Sequence, residues 1–188
     1  MSTQQPLSRI QWVQLTAAAG AVVAAAAAIW LTSQYLRADH QRTQLTRSAK
    51  KKYRELLSEL SECKGILNYI DSVSMSRAQS IVSDYAKDTR EPEASRRELA
   101  GIGEEVLRLM EKIDGVAPAL VINAAGLEPW TEQDKELKEL AVRQGLGQIF
   151  DLAGDIRAIR KGLIHRVERR AKKIDSLKRE LERVIIQK

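Results

Sequence analysis

Between Arg9 and Arg37 the chain passes through 27 residues, Ile10–Leu36, without a charged side chain. A run that long restricts a helix to a bilayer or to a fully packed interior. Its centre, Ala17–Ile29, holds nine alanines together with Val22, Val23 and Ile29. Trp12 and Trp30 bracket it, 18 residues apart, which is about 27 Å along a helix. That span is close to the roughly 30 Å of a hydrocarbon core, and it would set the two indoles at the interfaces. The flanking run is too weakly basic at its N-terminal end for a cleavable signal peptide or a mitochondrial presequence. The expectation is a transmembrane anchor over residues 10–36, preceded by a short tail over residues 1–9.

The charge is divided along the chain in a way the net +6 conceals. From Arg37 to Arg54 seven basic residues (Arg37, Arg42, Arg47, Lys50, Lys51, Lys52 and Arg54) face one acid, Asp39. This basic cluster follows the apolar run directly, and Arg9 alone precedes it. Positive charge on the C-terminal side orients such an anchor with the rest of the chain in the cytoplasm. The expected localisation is therefore a single-pass membrane protein with its C-terminal domain in the cytoplasm. The cluster, placed over residues 37–57 as a juxtamembrane helix or linker, could touch anionic headgroups or contact RNA on a ribosome. From Glu55 to Gly154 there are 11 basic and 19 acidic residues, and from Asp155 to Lys188 12 basic and five acidic. An acidic middle thus precedes a basic end.

Beyond residue 37 the period is helical. Leu45, Ala49, Tyr53, Leu56, Leu60, Cys63, Leu67 and Ile70 form one stripe. Pro92 suits the first turn of a second helix, whose apolar positions are Leu99, Ile102, Val106, Leu109, Met110 and Ile113, and which Gly115 and Pro118 end. Thr131 and Asp134 read as the cap of a further stretch that Gly145, Gly147 and Gly154 weaken. The last helix is expected from about Asp155 to Ile186, striped by Ile159, Leu163, Val167, Ala171, Ile174, Leu177, Leu181 and Val184. The expected fold is all-α: one transmembrane helix, then an antiparallel three-helix bundle over residues 58–188, with an insert at about 116–154 before the last helix.

No motif for phosphate, metal or nucleophile chemistry is present. His40 and His165 stand far apart, Cys63 is alone, and Gly101-Ile102-Gly103 lies inside a helical stripe, where close packing explains it better than a phosphate loop. The chain is expected to be neither an enzyme nor a holder of metal or cofactor. What remains is a docking surface. Glu104 and Asp114 lie ten residues apart, within about 80° of each other around a helix axis. On the final helix Arg157, Arg160, Lys161 and Ile164 point away from the apolar stripe. Acidic and basic rows on neighbouring helices would fix the register of a partner of complementary polarity.

The final helix also reads Asp155-x-Arg157-x-x-Arg160-Lys161-Gly162-Leu163-x-x-x-Val167, with Asp175 after seven intervening residues. This resembles the last helix of a BAG domain. The stretch Glu104–Asp114 resembles that domain's second helix, which carries a glutamate and an aspartate ten apart. The resemblance covers roughly Ser58–Leu181. It implies a three-helix bundle that binds the ATPase domain of a heat-shock protein 70 chaperone and holds it open so that ADP leaves, with contacts at Glu104, Asp114, Arg160 and Lys161. Two positions depart from the family: Glu168 stands where a glutamine is common, and the connection from Asp114 to Asp155 is much longer. Anchor, basic segment and bundle in series also resemble a membrane-anchored fungal member of the family, which implies the endoplasmic reticulum or nuclear envelope. The alternative is a membrane-anchored helical adaptor or tether without exchange activity, for which the basic juxtamembrane segment offers a ribosome or RNA contact.

Overall fold

A computed structural model describes residues 9–87, 91–127, 138–139, 142–143 and 145–187, with side chains from Ala27 onward. The elements are α1 (Arg9–Tyr69), a π-helical turn (Ile70–Ser74), α2 (Met75–Ala86), α3 (Pro92–Asp114), the short α4 (Ala119–Asn123) and α5 (Gly147–Gln187). Among the described residues there is no strand. The chain divides into two units, Met1–Gln44 and Leu45–Lys188.

The first unit overturns the expected anchor. Among the described residues no helix is long and apolar enough to cross a membrane. The transmembrane helix over residues 10–36, and with it the single-pass localisation, is corrected. The physical reason lies in the side chains. Alanine brings one methyl group per residue, and so small a group gains little from hydrocarbon. Moreover, Thr32, Ser33 and Gln34 follow Leu31 at once, and α1 runs on as a polar helix through Arg37, Asp39 and Arg42. Thr32 Oγ1 donates to Ala28 O at 2.6 Å, and Ser33 Oγ to Trp30 O at 2.8 Å. Trp30 is 60% exposed, and the side chain of Trp12 lies outside the described residues. Arg37–Arg54 form a continuous stretch of α1.

The second unit is a three-helix bundle whose register its ion pairs record. Lys112 reaches Glu62 and Arg77 reaches Glu98, so α3 runs antiparallel to α1 and α2. Arg160 reaches Asp114 and Arg96 reaches Glu182, so α5 is antiparallel to α3 as well. The expected stripes supply the core. Leu56, Leu60, Cys63 and Leu67 from α1 and Ile70 from the π turn meet Leu99, Ile102, Val106, Leu109 and Ile113 from α3, and Leu163, Val167, Ile174, Leu177 and Leu181 from α5. Burying each large aliphatic side chain contributes roughly 1.5–3 kcal/mol. Pro92 sits in the first turn of α3, as its missing N–H permits.

Two local expectations change. The last helix begins at Gly147, not Asp155, so Ile149, Phe150, Ala153 and Ile156 join the core and the insert shortens from its C-terminal end. Gly145, at φ +74°, makes the turn that launches α5. Ile159, expected in the stripe, is 39% exposed, whereas Ile164 packs against the core. In the connection after α3, Val116, Val121, Ile122 and Ala125 are buried. The expected cap at Thr131 and Asp134 lies outside the described residues.

Candidate functional site

α3 is strongly amphipathic, so its core stripe fixes where the remaining positions point. Asp114 is its last residue, on the edge facing α5. A carboxylate at a helix C-terminus opposes the helix dipole, and here a cation from the neighbouring helix compensates. Arg160 Nη2 donates to Asp114 Oδ1 at 2.9 Å. Arg160 is half-buried, and its Nε is buried without a hydrogen-bond partner. Two of the expected docking residues therefore meet directly across the α3–α5 seam.

The other three do not join that contact. Glu104 is about 15 Å away along α3; it accepts only a long bond, 3.4 Å, from Arg108 on its own helix. Arg157 and Lys161 are exposed on α5. Glu104 instead stands at the rim of a trough between α3 and α5, of about 290 Å³, shared with Asp175 and Lys178. Small residues open this trough. A side-chain carbon on Gly103 would lie 3.0 Å from Lys178 Nζ and 3.8 Å from Ile174 Cγ2. Gly101, expected to pack closely, faces open space. Acidic and basic groups thus share the α3–α5 seam, with Arg160 and Asp114 at one point and Glu104, Asp175 and Lys178 at another.

Charge contacts elsewhere hold the bundle that carries this face. Asp71, in the π turn, accepts from Arg166 Nη2 at 3.0 Å and from Arg170 Nε, and Arg166 also donates to Asn68 Oδ1 at 3.1 Å. Burial pushes the Asp71 carboxyl up, but hydrogen bonds from Arg170 and Arg166 and their charge outweigh it, so its pKa falls below the ordinary value. The π turn also buries Ser74, whose Oγ donates to Glu105 Oε2 at 3.0 Å. At the far end of the α3–α5 seam Arg96 grips Glu182 through two bonds, 2.7 and 2.8 Å. Those bonds raise the guanidinium pKa and lower that of the carboxyl. Sequence reading missed Asp71, Arg166 and Arg170. The available signal was an acid directly after a buried isoleucine, opposite two arginines four residues apart.

Cys63 is fully buried in the core, and burial foremost pushes its thiol pKa up. Such a thiol is a packing residue, not a nucleophile. Among the described residues no group of three or more metal-ligating side chains comes together. His165 faces Glu168 at 3.4 Å, and His40 faces Gln44 at 2.9 Å.

No family model, curated protein or solved structure matches this chain. The face between α3 and α5 therefore has to be read from its own chemistry.

Proposed function

We propose that this protein is a co-chaperone that binds the ATPase domain of a heat-shock protein 70 and promotes release of ADP. The observation that carries the reading is the Asp114–Arg160 contact, 2.9 Å across the α3–α5 seam. It joins an acidic and a basic residue of the BAG-like pattern across the α3–α5 seam of a three-helix bundle, with Arg157 and Lys161 exposed on α5 and Glu104 exposed about 15 Å away along α3. A charge-divided rigid face works without a catalytic group. Arg157, Arg160 and Lys161 would meet acidic residues of one lobe of the ATPase domain, while Glu104 and Asp114 would meet basic residues of the other. The bundle shifts the domain towards its open form in proportion to its preference for that form. Nucleotide then leaves because the open form holds it less tightly.

The test is stopped-flow release of a labelled nucleotide from the chaperone in the presence of the full chain. Release accelerates with the wild-type protein, and Arg160→Ala loses most of that acceleration. No acceleration at saturating protein overturns the reading.

A second reading, a helical adaptor without exchange activity, draws on one observation. Ile29, Trp30, Leu31, Tyr35 and Leu36 of α1 are each at least 60% exposed. An adaptor would use this apolar stretch to engage another helix, and Arg160→Ala would leave that association intact.

A further inference from the structure

The trough between α3 and α5 has a shape and charge that the Asp114–Arg160 contact does not use. Its volume is about 290 Å³, room for one long side chain. The walls are short because Ala100 and Gly103 on α3 face Ala171 on α5. Leu107, 54% exposed, stands at the lip. The acidic groups on its rim, Glu104 and Asp175, come from opposite helices. Glu104 is 67% exposed, with only the long bond from Arg108.

One cation of the chain already lies there. Lys178 extends over Gly103, and its Nζ would be only 3.0 Å from a side-chain carbon at that position. A side chain on Gly103 would push the ammonium aside. A lysine lies on four rotatable bonds and is readily displaced.

We propose that this trough receives a lysine or arginine side chain of the partner. The aliphatic stem lies along Leu107 and the small-residue floor, and the cationic head sits between Glu104 and Asp175. Lys178 is the internal placeholder that the incoming cation displaces. A long basic side chain matches both halves of the lining, since its stem is apolar and its head charged. This inference rests on the proposed function and sharpens it: the partner must offer an acidic group to Arg160 and, about 22 Å further along α5, a basic one. That separation, not the charge alone, would set the choice of partner.

The experiment is calorimetric titration of the chaperone's ATPase domain into the full chain and three variants, each first checked for helicity. Gly103→Leu fills the trough while replacing a poor helix former by a good one, and an unchanged urea midpoint separates a loss of binding from a loss of folding. The substitution should weaken binding about tenfold or more, and Asp175→Asn by about fivefold. Lys178→Met removes the placeholder and should tighten binding. If the wild type binds but Gly103→Leu and Asp175→Asn bind equally well, the trough is not the socket, and the proposed function stands. If Lys178→Met binds no more tightly, the placeholder role is overturned. A wild type that does not bind at all overturns the proposed function and the socket together.

Discussion

Two seams run along α5, and each holds a carboxylate against arginine. On the α1 side, Asp71 is 21% exposed and receives Arg166 and Arg170 together, with Asn68 closing the cluster. On the α3 side, Asp114 is 55% exposed and receives Arg160 alone, through one bond, while Arg160 Nε is left without a partner. The chemistry is the same, yet the consequences differ. A carboxylate held by two arginines in a sheltered seam fixes the relative register of two helices, and removing it strands two cations. A carboxylate held once at the surface can exchange its arginine for another partner at little cost. The Asp71 contact helps to build the bundle, and the Asp114–Arg160 contact is available for docking.

The largest expected effect tests the first half of this contrast. Asp71→Ala should lower the unfolding free energy by about 2–3 kcal/mol, because both arginines lose a charge-assisted acceptor in a half-buried site. Urea unfolding followed by helical circular dichroism measures it. A loss below about 1 kcal/mol would put Asp71 in the same class as an ordinary surface pair and erase the distinction.

Acid should produce a smaller version of the same effect. The folded carboxyl of Asp71 has its pKa below the ordinary aspartate value. Its contribution is therefore present above the unfolded pKa, near about 3.9, and is lost as pH falls through the depressed folded value. The stability difference between wild type and Asp71→Asn should be steady near neutrality and shrink on acidification below about pH 4. A difference that instead grew in acid would show that the two arginines do not favour the ionised form.

The helical stripes were legible because a 3.6-residue period repeats over many turns. Leu56 through Ile70, Leu99 through Ile113 and Leu163 through Leu181 all lie where the period puts them. The start of α5 was not legible, because Gly147 and Gly154 read as breakers, whereas Ile149, Phe150 and Ile156 gain enough burial to hold the helix across them. The apolar run at the N-terminus misled for a different reason. Absence of charge is not the same as hydrophobicity: alanine carries no charge, yet its single methyl group gains little from hydrocarbon. Glu104, Asp114, Arg157, Arg160 and Lys161 could be named from pattern and resemblance, but not which of them touch. Contact depends on the rotation of each helix about its axis, so Asp114 meets Arg160 while Glu104, about 80° around, meets the trough instead.

The smallest expected change in stability carries the most information about the second seam. Asp114→Asn removes the charge from the contact with Arg160, and it also removes a negative charge from the C-terminus of α3, where the helix dipole disfavours it. These effects oppose each other, so the unfolding free energy should move by less than about 1 kcal/mol in either direction. Partner binding should respond differently, since a neutral amide cannot attract a basic residue as the carboxylate does. Parallel measurement of the urea midpoint and of accelerated nucleotide release separates the two roles. If Asp114→Asn destabilised the chain as much as Asp71→Ala, the α3 seam would be structural like its neighbour. If it left both stability and release unchanged, Asp114 would not belong to the docking face, and the acidic contribution would reside in Glu104 and Asp175.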